Sequence, residues 1–337
     1  MTKPSSSAAF TGLIDLAMER LGGKALLASD EFFAEKENLL KPGRGVFIAD
    51  KYTDRGKWMD GWESRRKREP GHDWCVIRLG LPGVLRGVDI DTNHFLGNHP
   101  PYASIEACCL EDNDADEKAC GDDVNWVEIL PRAPLSPGSQ NFFGIASNEK
   151  WTHLRLNIYP DGGVARFRAY GDVTPSQKLS SDGTIDLVAL ENGGNAVACS
   201  DMFFSSMTNL IMPGRGIHMG DGWESRRRRG PGHDWVILKM ARTGRVERIE
   251  VDTNHFKGNY PDRCSLDGAY APGKAVDLLN WQEVEWTPVL GEQKLQAHHR
   301  HFFEDEILTD GPFTLLRLNI FPDGGVSRLR VHGKVEE

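Results

Sequence analysis

Leu154-Arg155-Leu156-Asn157-Ile158-Tyr159-Pro160-Asp161-Gly162-Gly163-Val164-Ala165-Arg166-Phe167-Arg168 is the stretch on which the fold assignment turns. Its first five residues alternate apolar and polar with period two, as a half-buried strand does. Pro160 to Gly163 supply turn residues, with glycines free to take positive φ, and Val164–Arg168 leads away as a second strand. The stretch therefore predicts a hairpin. Trp74-Cys75-Val76-Ile77, Val88-Asp89-Ile90 and Trp126-Val127-Glu128-Ile129 have the same strand-like length and composition. Only Gly12 to Leu21 carries a helical spacing, with Leu13, Leu16, Ala17 and Leu21 near one face. Short strands, little helix, and 36 Gly with 18 Pro predict an all-β chain, a β-sandwich of jelly-roll type. Periodicity alone does not separate sandwich from barrel.

The same stretch returns near the C-terminus, where Leu318 to Ile320 and Pro322 to Val326 repeat Leu156 to Ile158 and Pro160 to Val164. Ile14-Asp15-Leu16 reappears 171 residues on as Ile185-Asp186-Leu187, and Pro42 to Gly45 as Pro213 to Gly216. The offset then falls to 161, because the first copy carries ten extra residues within Val46–Met59, among them Asp50, Lys51, Tyr52, Asp54, Arg55 and Trp58. Asp60-Gly61-Trp62-Glu63-Ser64-Arg65-Arg66 recurs intact as Asp221 to Arg227. Pro70 to Trp74 recurs as Pro231 to Trp235, and Asp91-Thr92-Asn93-His94-Phe95 as Asp252 to Phe256. A repeat so long, present only twice, is a duplicated domain rather than a solenoid. The units are expected at 13–171 and 184–333, joined by Asp172–Gly183, which has the Pro, Ser and Gly of a linker.

The 337 residues suit two domains with cores of their own. With 40 Lys and Arg against 49 Asp and Glu, the net charge of −9 argues against general nucleic-acid binding. No apolar run is long enough to span a membrane. No secretory signal opens the chain, so a cytoplasmic location, reduced thiols at all six cysteines and assembly as a homo-oligomer are the expectations.

Asp60–Arg66 is the densest polar cluster. Its arginines have the fork geometry that grips a carboxylate, although a basic run flanked by Glu63 and Glu69 also suits a solvated surface. His72-Asp73 and Asp91 to His94 offer imidazole beside carboxylate, the equipment of general acid–base catalysis. If the strand runs on through Asn93, then Asn93 and His94 face opposite ways; Asp91 and Asn93 equally suit the satisfaction of backbone groups at a strand end. His298-His299-Arg300-His301 occurs in one copy only and reads as a mobile surface loop. Phosphate-loop, nucleophile-elbow and H-E-x-x-H motifs are absent from the sequence.

The paired D-G-W-E-S-R-R segments, each followed by G-H-D-W and D-T-N-H-F-x-G-N and closed by L-N-I-[YF]-P-D-G-G-V, resemble the allantoicase (allantoate amidinohydrolase) family from about Ile14 to Gly333. The resemblance implies two tandem jelly rolls of the galactose-binding-domain type. It also implies hydrolysis of allantoate to ureidoglycolate and urea, a C–N hydrolysis in purine catabolism. Such a substrate needs a cation for its carboxylate, partners for two ureido groups and a proton donor for the leaving nitrogen. Motif membership and this chemistry nominate Arg65 or Arg66, and Arg226 or Arg227, for the carboxylate. They nominate His72 with Asp73, or His94, as acid/base, and Glu63 and Asn93 for the ureido groups. The second-copy counterparts are His233, Asp234, His255, Glu224 and Asn254. No cofactor is called for, and no spacing marks a metal site, with a divalent ion such as Mn2+ left open as an activator. The competing readings are a tandem carbohydrate-binding module without catalysis and a scaffold using its Arg/Trp loops. The extra ten residues offer a rim or lid to the first copy alone, with the second as scaffold; a site in each copy, or one site between the two, fits the sequence equally.

Overall fold

The computed structural model describes residues 9–174, 183–273 and 280–336. The chain divides into two compact units at 175/176. The expected linker, 172–183, falls mostly outside the described residues, and its first two positions, Asp172 and Val173, belong to a strand.

The first unit contains β1 (Ile14–Asp15), β2 (Lys24–Ala28), β3 (Tyr52–Thr53), β4 (Gly56–Lys57), β5 (Trp62–Glu63) and β6 (Asp73–Asp91). It continues through β7 (Tyr102–Cys108), the one-turn helix α1 (Ala115–Ala119), β8 (Val127–Pro134) and β9 (Phe142–Gly144). The last strands are β10 (Lys150–Tyr159), β11 (Gly163–Val164) and β12 (Arg166–Val173). The 19-residue β6 is the spine. Its first half pairs with β2 and β10, its second half with β12 and β9. One layer therefore runs β2-β6-β10-β7-β8 and the other β1-β12-β6-β9, all antiparallel. This is a jelly-roll sandwich sharing one bent strand. Leu154, Leu156 and Ile158 of β10, with Ile105 of β7 and Phe167 of β12, are fully buried between the layers. Each contributes about 1.5–3 kcal/mol by leaving water.

The second unit repeats the plan with β13 (Thr184–Asp186), β14 (Asn195–Cys199), β15 (Trp223–Glu224), β16 (Asp234–Asp252) and β17 (Arg263–Ala269). It closes with β18 (Thr287–Lys294), β19 (Arg300–Phe303), β20 (Phe313–Phe321), β21 (Gly325–Val326) and β22 (Arg328–Val335). Its spine, β16, pairs with β14 and β20 along one half and with β22 and β19 along the other.

Three local expectations change. Gly12–Leu21 is not a helix: Ile14 and Asp15 pair with β12, and Glu19–Leu21 form a 3-10 turn. The Asp15 carboxylate accepts the Ala17 N–H (3.1 Å) and the Ala169 N–H (3.0 Å), offering the backbone a non-helical partner. The helical spacing of Leu16, Ala17 and Leu21 came instead from three residues that enter the same core. Nor do β10 and β12 form a hairpin; they lie on opposite halves of β6, and Gly163–Val164 between them pair with β5. Finally, Arg300–Phe303 is a strand on β16 rather than a loop, and His301 is 9% exposed. Its Nε2 accepts the Gln296 N–H (2.8 Å) while Nδ1 donates to the Val251 carbonyl oxygen (3.0 Å), a pattern only the neutral ring satisfies. Burial lowers its pKa accordingly.

The β5–β11 ribbon explains the Gly-Gly pair. Gly162 takes φ +141°, outside the range of other residues, and a Cβ on Gly163 would enter the Phe95 ring. Gly163→Ala is expected to lower stability by about 1–3 kcal/mol through this overpacking. Gly144→Ala, whose methyl meets open space, should leave Tm unchanged; thermal unfolding of both checks the contrast.

Candidate active site

The repeated motifs meet at one end of each sandwich because three segments far apart in sequence are tied together there. In the first unit the Ser64 N–H donates to the Gly162 carbonyl oxygen (3.2 Å), the Gly163 N–H to Asn98 (2.8 Å) and the Lys67 N–H to the Asp161 carboxylate (2.8 Å). The second unit repeats all three, with Ser225 to Gly324, Gly325 to Asn259 and Arg228 to Asp323. Trp62 and Trp223 are fully buried beneath, each indole N–H donating to an Asp carbonyl, Asp30 and Asp201, at 2.8 Å.

Most charged members of the motifs hold this frame. Arg65 binds Asp30 through Nε (2.7 Å), and Arg226 binds Asp201 in the same way (2.9 Å). Burial works to raise the Asp30 pKa, but the Arg65 and Phe32 N–H groups and the Arg65 guanidinium outweigh it and leave it lowered. Asp73, 1% exposed, accepts the Ser29 hydroxyl (2.9 Å) and Lys67 (2.7 Å); Asp234 takes Ser200 and Arg228. His72 and His233 lie against Asn157 and Asn319, their rings tilted against those of Tyr159 and Phe321 at centroid distances of 4.7 and 4.6 Å. Arg66 and Arg227 are exposed and make no hydrogen bond or ion pair among the described residues.

Asp91 ends β6 and is gripped by Arg44 through two bonds (2.8 and 2.9 Å) while accepting the Asn93 N–H (2.9 Å). Asn93 Nδ2 donates to the Gly45 carbonyl oxygen (2.8 Å), and Asn254 does so to Gly216 (2.9 Å). These asparagines satisfy backbone at a strand end. Because the strand stops at Asp91, the alternation of faces does not govern the next residues. His94 and His255 turn into left-handed backbone, φ 67° and 69°. Such a conformation in a non-glycine residue costs on the order of 1–3 kcal/mol and is held by its surroundings.

The turn brings His94 to a cavity of about 300 Å³, the low end of the size of small-molecule clefts. Glu63, His94, Asn98 and Lys57 are its polar wall; Phe33, Phe47, Met59 and Leu96 are apolar. Of the residues nominated from sequence, Glu63 and His94 converge here; Arg65, Arg66, His72, Asp73 and Asn93 do not line it. Asn98 belongs to the repeated D-T-N-H-F-x-G-N segment, so its recurrence as Asn259 was a usable signal. Lys57 and Phe47 lie in the unrepeated insertion and had none. Asn98 Nδ2 donates to Glu63 Oε1 (2.7 Å). Burial raises the Glu63 pKa, against the pull of that bond. In the second unit Asn259 likewise donates to Glu224, while His255 turns its Nε2 to the Gly216 carbonyl oxygen (3.0 Å). Among the described residues no cluster of three or more His, Cys, Asp or Glu is placed to hold a metal.

The Asp60–Arg166 pair underpins the first cavity: Arg166 donates to the Asp60 carboxylate (2.7 Å) and carbonyl oxygen (3.1 Å), with both side chains under a tenth exposed. The Asp60 pKa is lowered, as Arg166 and the Val46 N–H overcome the burial that would raise it. Arg166→Met leaves a buried carboxylate unpaired and is expected to cost about 3–5 kcal/mol at neutral pH. The penalty should shrink as pH falls and Asp60 takes a proton; denaturant unfolding at two pH values measures it.

Comparison with known proteins agrees with the duplicated architecture. The allantoicase repeat family matches residues 14–174 and 185–336. A Burkholderia mallei protein named "Probable allantoicase 1" is 51% identical over 96% of this chain and 95% of its own length. The allantoicase of Dictyostelium discoideum is 49% identical over 94% of this chain and 86% of its own. The crystal structure of Saccharomyces cerevisiae allantoicase superposes with a TM-score of 0.83 at 36% identity, covering 98% of both chains. The chain belongs to the allantoicase family.

Proposed function

We propose that the chain hydrolyses allantoate to ureidoglycolate and urea, and that Glu63 supplies the proton to the departing urea nitrogen. The observation that carries the residue assignment is a half-buried carboxyl of raised pKa, held by Asn98 in a cavity that also presents His94. With Oε1 accepting from Asn98, Oε2 is the oxygen left to carry and donate a proton when Glu63 is in its acid form.

Allantoate carries its carboxylate and two ureido groups on one carbon. As a C–N bond breaks, its electron pair goes to the urea nitrogen, which takes the Glu63 proton. The remaining ureido nitrogen shares its lone pair with the carbon. Water then adds at that carbon, losing a proton to His94, and proton return from His94 to Glu63 closes the cycle. General acid–base assistance of this kind is worth roughly 10²–10⁴-fold. All six cysteines stand as free thiols, which supports a cytoplasmic setting for the reaction. Among the described residues no helix is long and apolar enough to cross a membrane.

Glu63→Gln, an isostere that cannot give up a proton as an acid, is expected to reduce kcat for urea release by roughly 10²–10⁴-fold with KM nearly kept. In the parent, raising the pH removes the Glu63 proton, so kcat/KM should fall on the alkaline side of a limb set above the ordinary carboxylate range. That limb should vanish in the variant. A folded Glu63→Gln variant with parental kcat would sink the assignment. Saturable sugar binding with no urea release would instead restore the carbohydrate-module reading.

A further inference from the structure

The ten extra residues of the first unit build part of the cavity rather than an unrelated loop. Tyr52–Thr53 and Gly56–Lys57 pair as a two-stranded ribbon, Tyr52 opposite Lys57, and Lys57 reaches the cavity wall. Its ammonium donates to the carbonyl oxygens of Ile48 (3.1 Å) and Ala49 and lies 4.9 and 4.6 Å from the ring centroids of Phe47 and Tyr52. Two carbonyls use two of its three N–H donors. Other cations of the first unit are differently engaged: Arg44 is paired with Asp91, Arg65 with Asp30, Lys67 with Asp73 and Arg166 with Asp60, while Lys51 lies over Trp58 and Arg55 binds the Phe32 carbonyl oxygen. Among the described residues no carboxylate stands within ion-pair distance of Lys57. It is the cation among the cavity's lining residues, half-buried against apolar neighbours, with a donor to spare.

The second unit shows what the site is without this element. In place of Val46–Met59 it has Ile217-His218-Met219-Gly220, and the Met219 sulfur lies 3.7 Å from Asn259 Nδ2. The Glu–Asn pair is thus repeated as Glu224–Asn259, but the lysine is not.

We propose that Lys57 is the carboxylate anchor of the first-unit site, and that the insertion is what makes this site select an anionic ureido acid. The inference rests on the allantoate reading. The remaining N–H meets the substrate carboxylate, while Glu63, Asn98 and His94 face the ureido end. A lone ammonium at a partly desolvated wall discriminates charge strongly and shape weakly, so the predicted selectivity is for a carboxylate over its neutral ester.

The test is steady-state urea release from allantoate and from its methyl ester by the full chain, with Lys57→Met and Lys57→Arg. Loss of one charge-assisted bond should raise KM for allantoate roughly 10- to 100-fold in Lys57→Met, with kcat within a few-fold and Lys57→Arg recovering part of the loss. The parent's preference for acid over ester should disappear in Lys57→Met. Unchanged KM and an unchanged acid-to-ester ratio would overturn the proposal. Calorimetric binding of allantoate to parent and variants reads the anchor without turnover. A parent that binds allantoate through Lys57 but releases no urea would refute the hydrolytic reading and keep the anchor. Equal binding by parent and a Lys57→Met variant with the parent's Tm would refute the anchor alone; if Lys57→Met does not fold, Lys57→Gln takes its place in both measurements.

Discussion

The ring of Phe95 lies against Gly61 and Gly163, so close that a Cβ on either glycine would collide with it. This contact joins three segments separated by long stretches of chain: the D-G-W-E-S-R-R ribbon, the D-T-N-H-F turn and the P-D-G-G-V arm. Its counterpart sets Phe256 against Gly222 and Gly325. Both rings are fully buried, so the loops they hold are packed as a core is packed rather than draped over the surface. Glu63 and Asn98 meet because they extend from the two sides of this clamp.

Buried ion pairs complete the frame, and they account for the charge density of the motifs. Asp60 with Arg166 and Asp221 with Arg328 are nearly inaccessible pairs that each also anchor carbonyl groups. A buried pair of this kind is a weak source of net stability, but breaking it is costly. Each pair ties loop backbone to a buried charge. The left-handed backbone of His94 and His255, energetically unfavourable by itself, persists within such an over-determined setting.

Duplication and divergence leave two units with a common frame and one local difference. Each retains the clamp, the buried tryptophan and the Glu–Asn pair, since these belong to folding as much as to any site. The difference lies where the first unit inserts a ribbon that adds an aromatic wall and a cation, whereas the second brings a methionine to its asparagine.

By itself the sequence determined the duplication, the all-β class and the segments that matter, because period-two alternation and motif recurrence are properties of a chain read in order. It also placed Glu63 and His94 among the candidates. It did not separate them from Arg65, Asp73 and Asn93, since a repeated salt bridge or capped backbone leaves the same trace as a repeated site. The false helix at Gly12–Leu21 and the false hairpin at Pro160–Gly163 share one cause: the partners of Asp15 and Gly163 are more than 60 residues away and override local pattern. Only the tertiary structure decided that β6 stops at Asp91, releasing His94 from strand alternation, and that Lys57 of an unrepeated insertion lines the same cavity as Glu63. Direction and proximity of side chains are set by long-range packing, which a linear pattern does not encode.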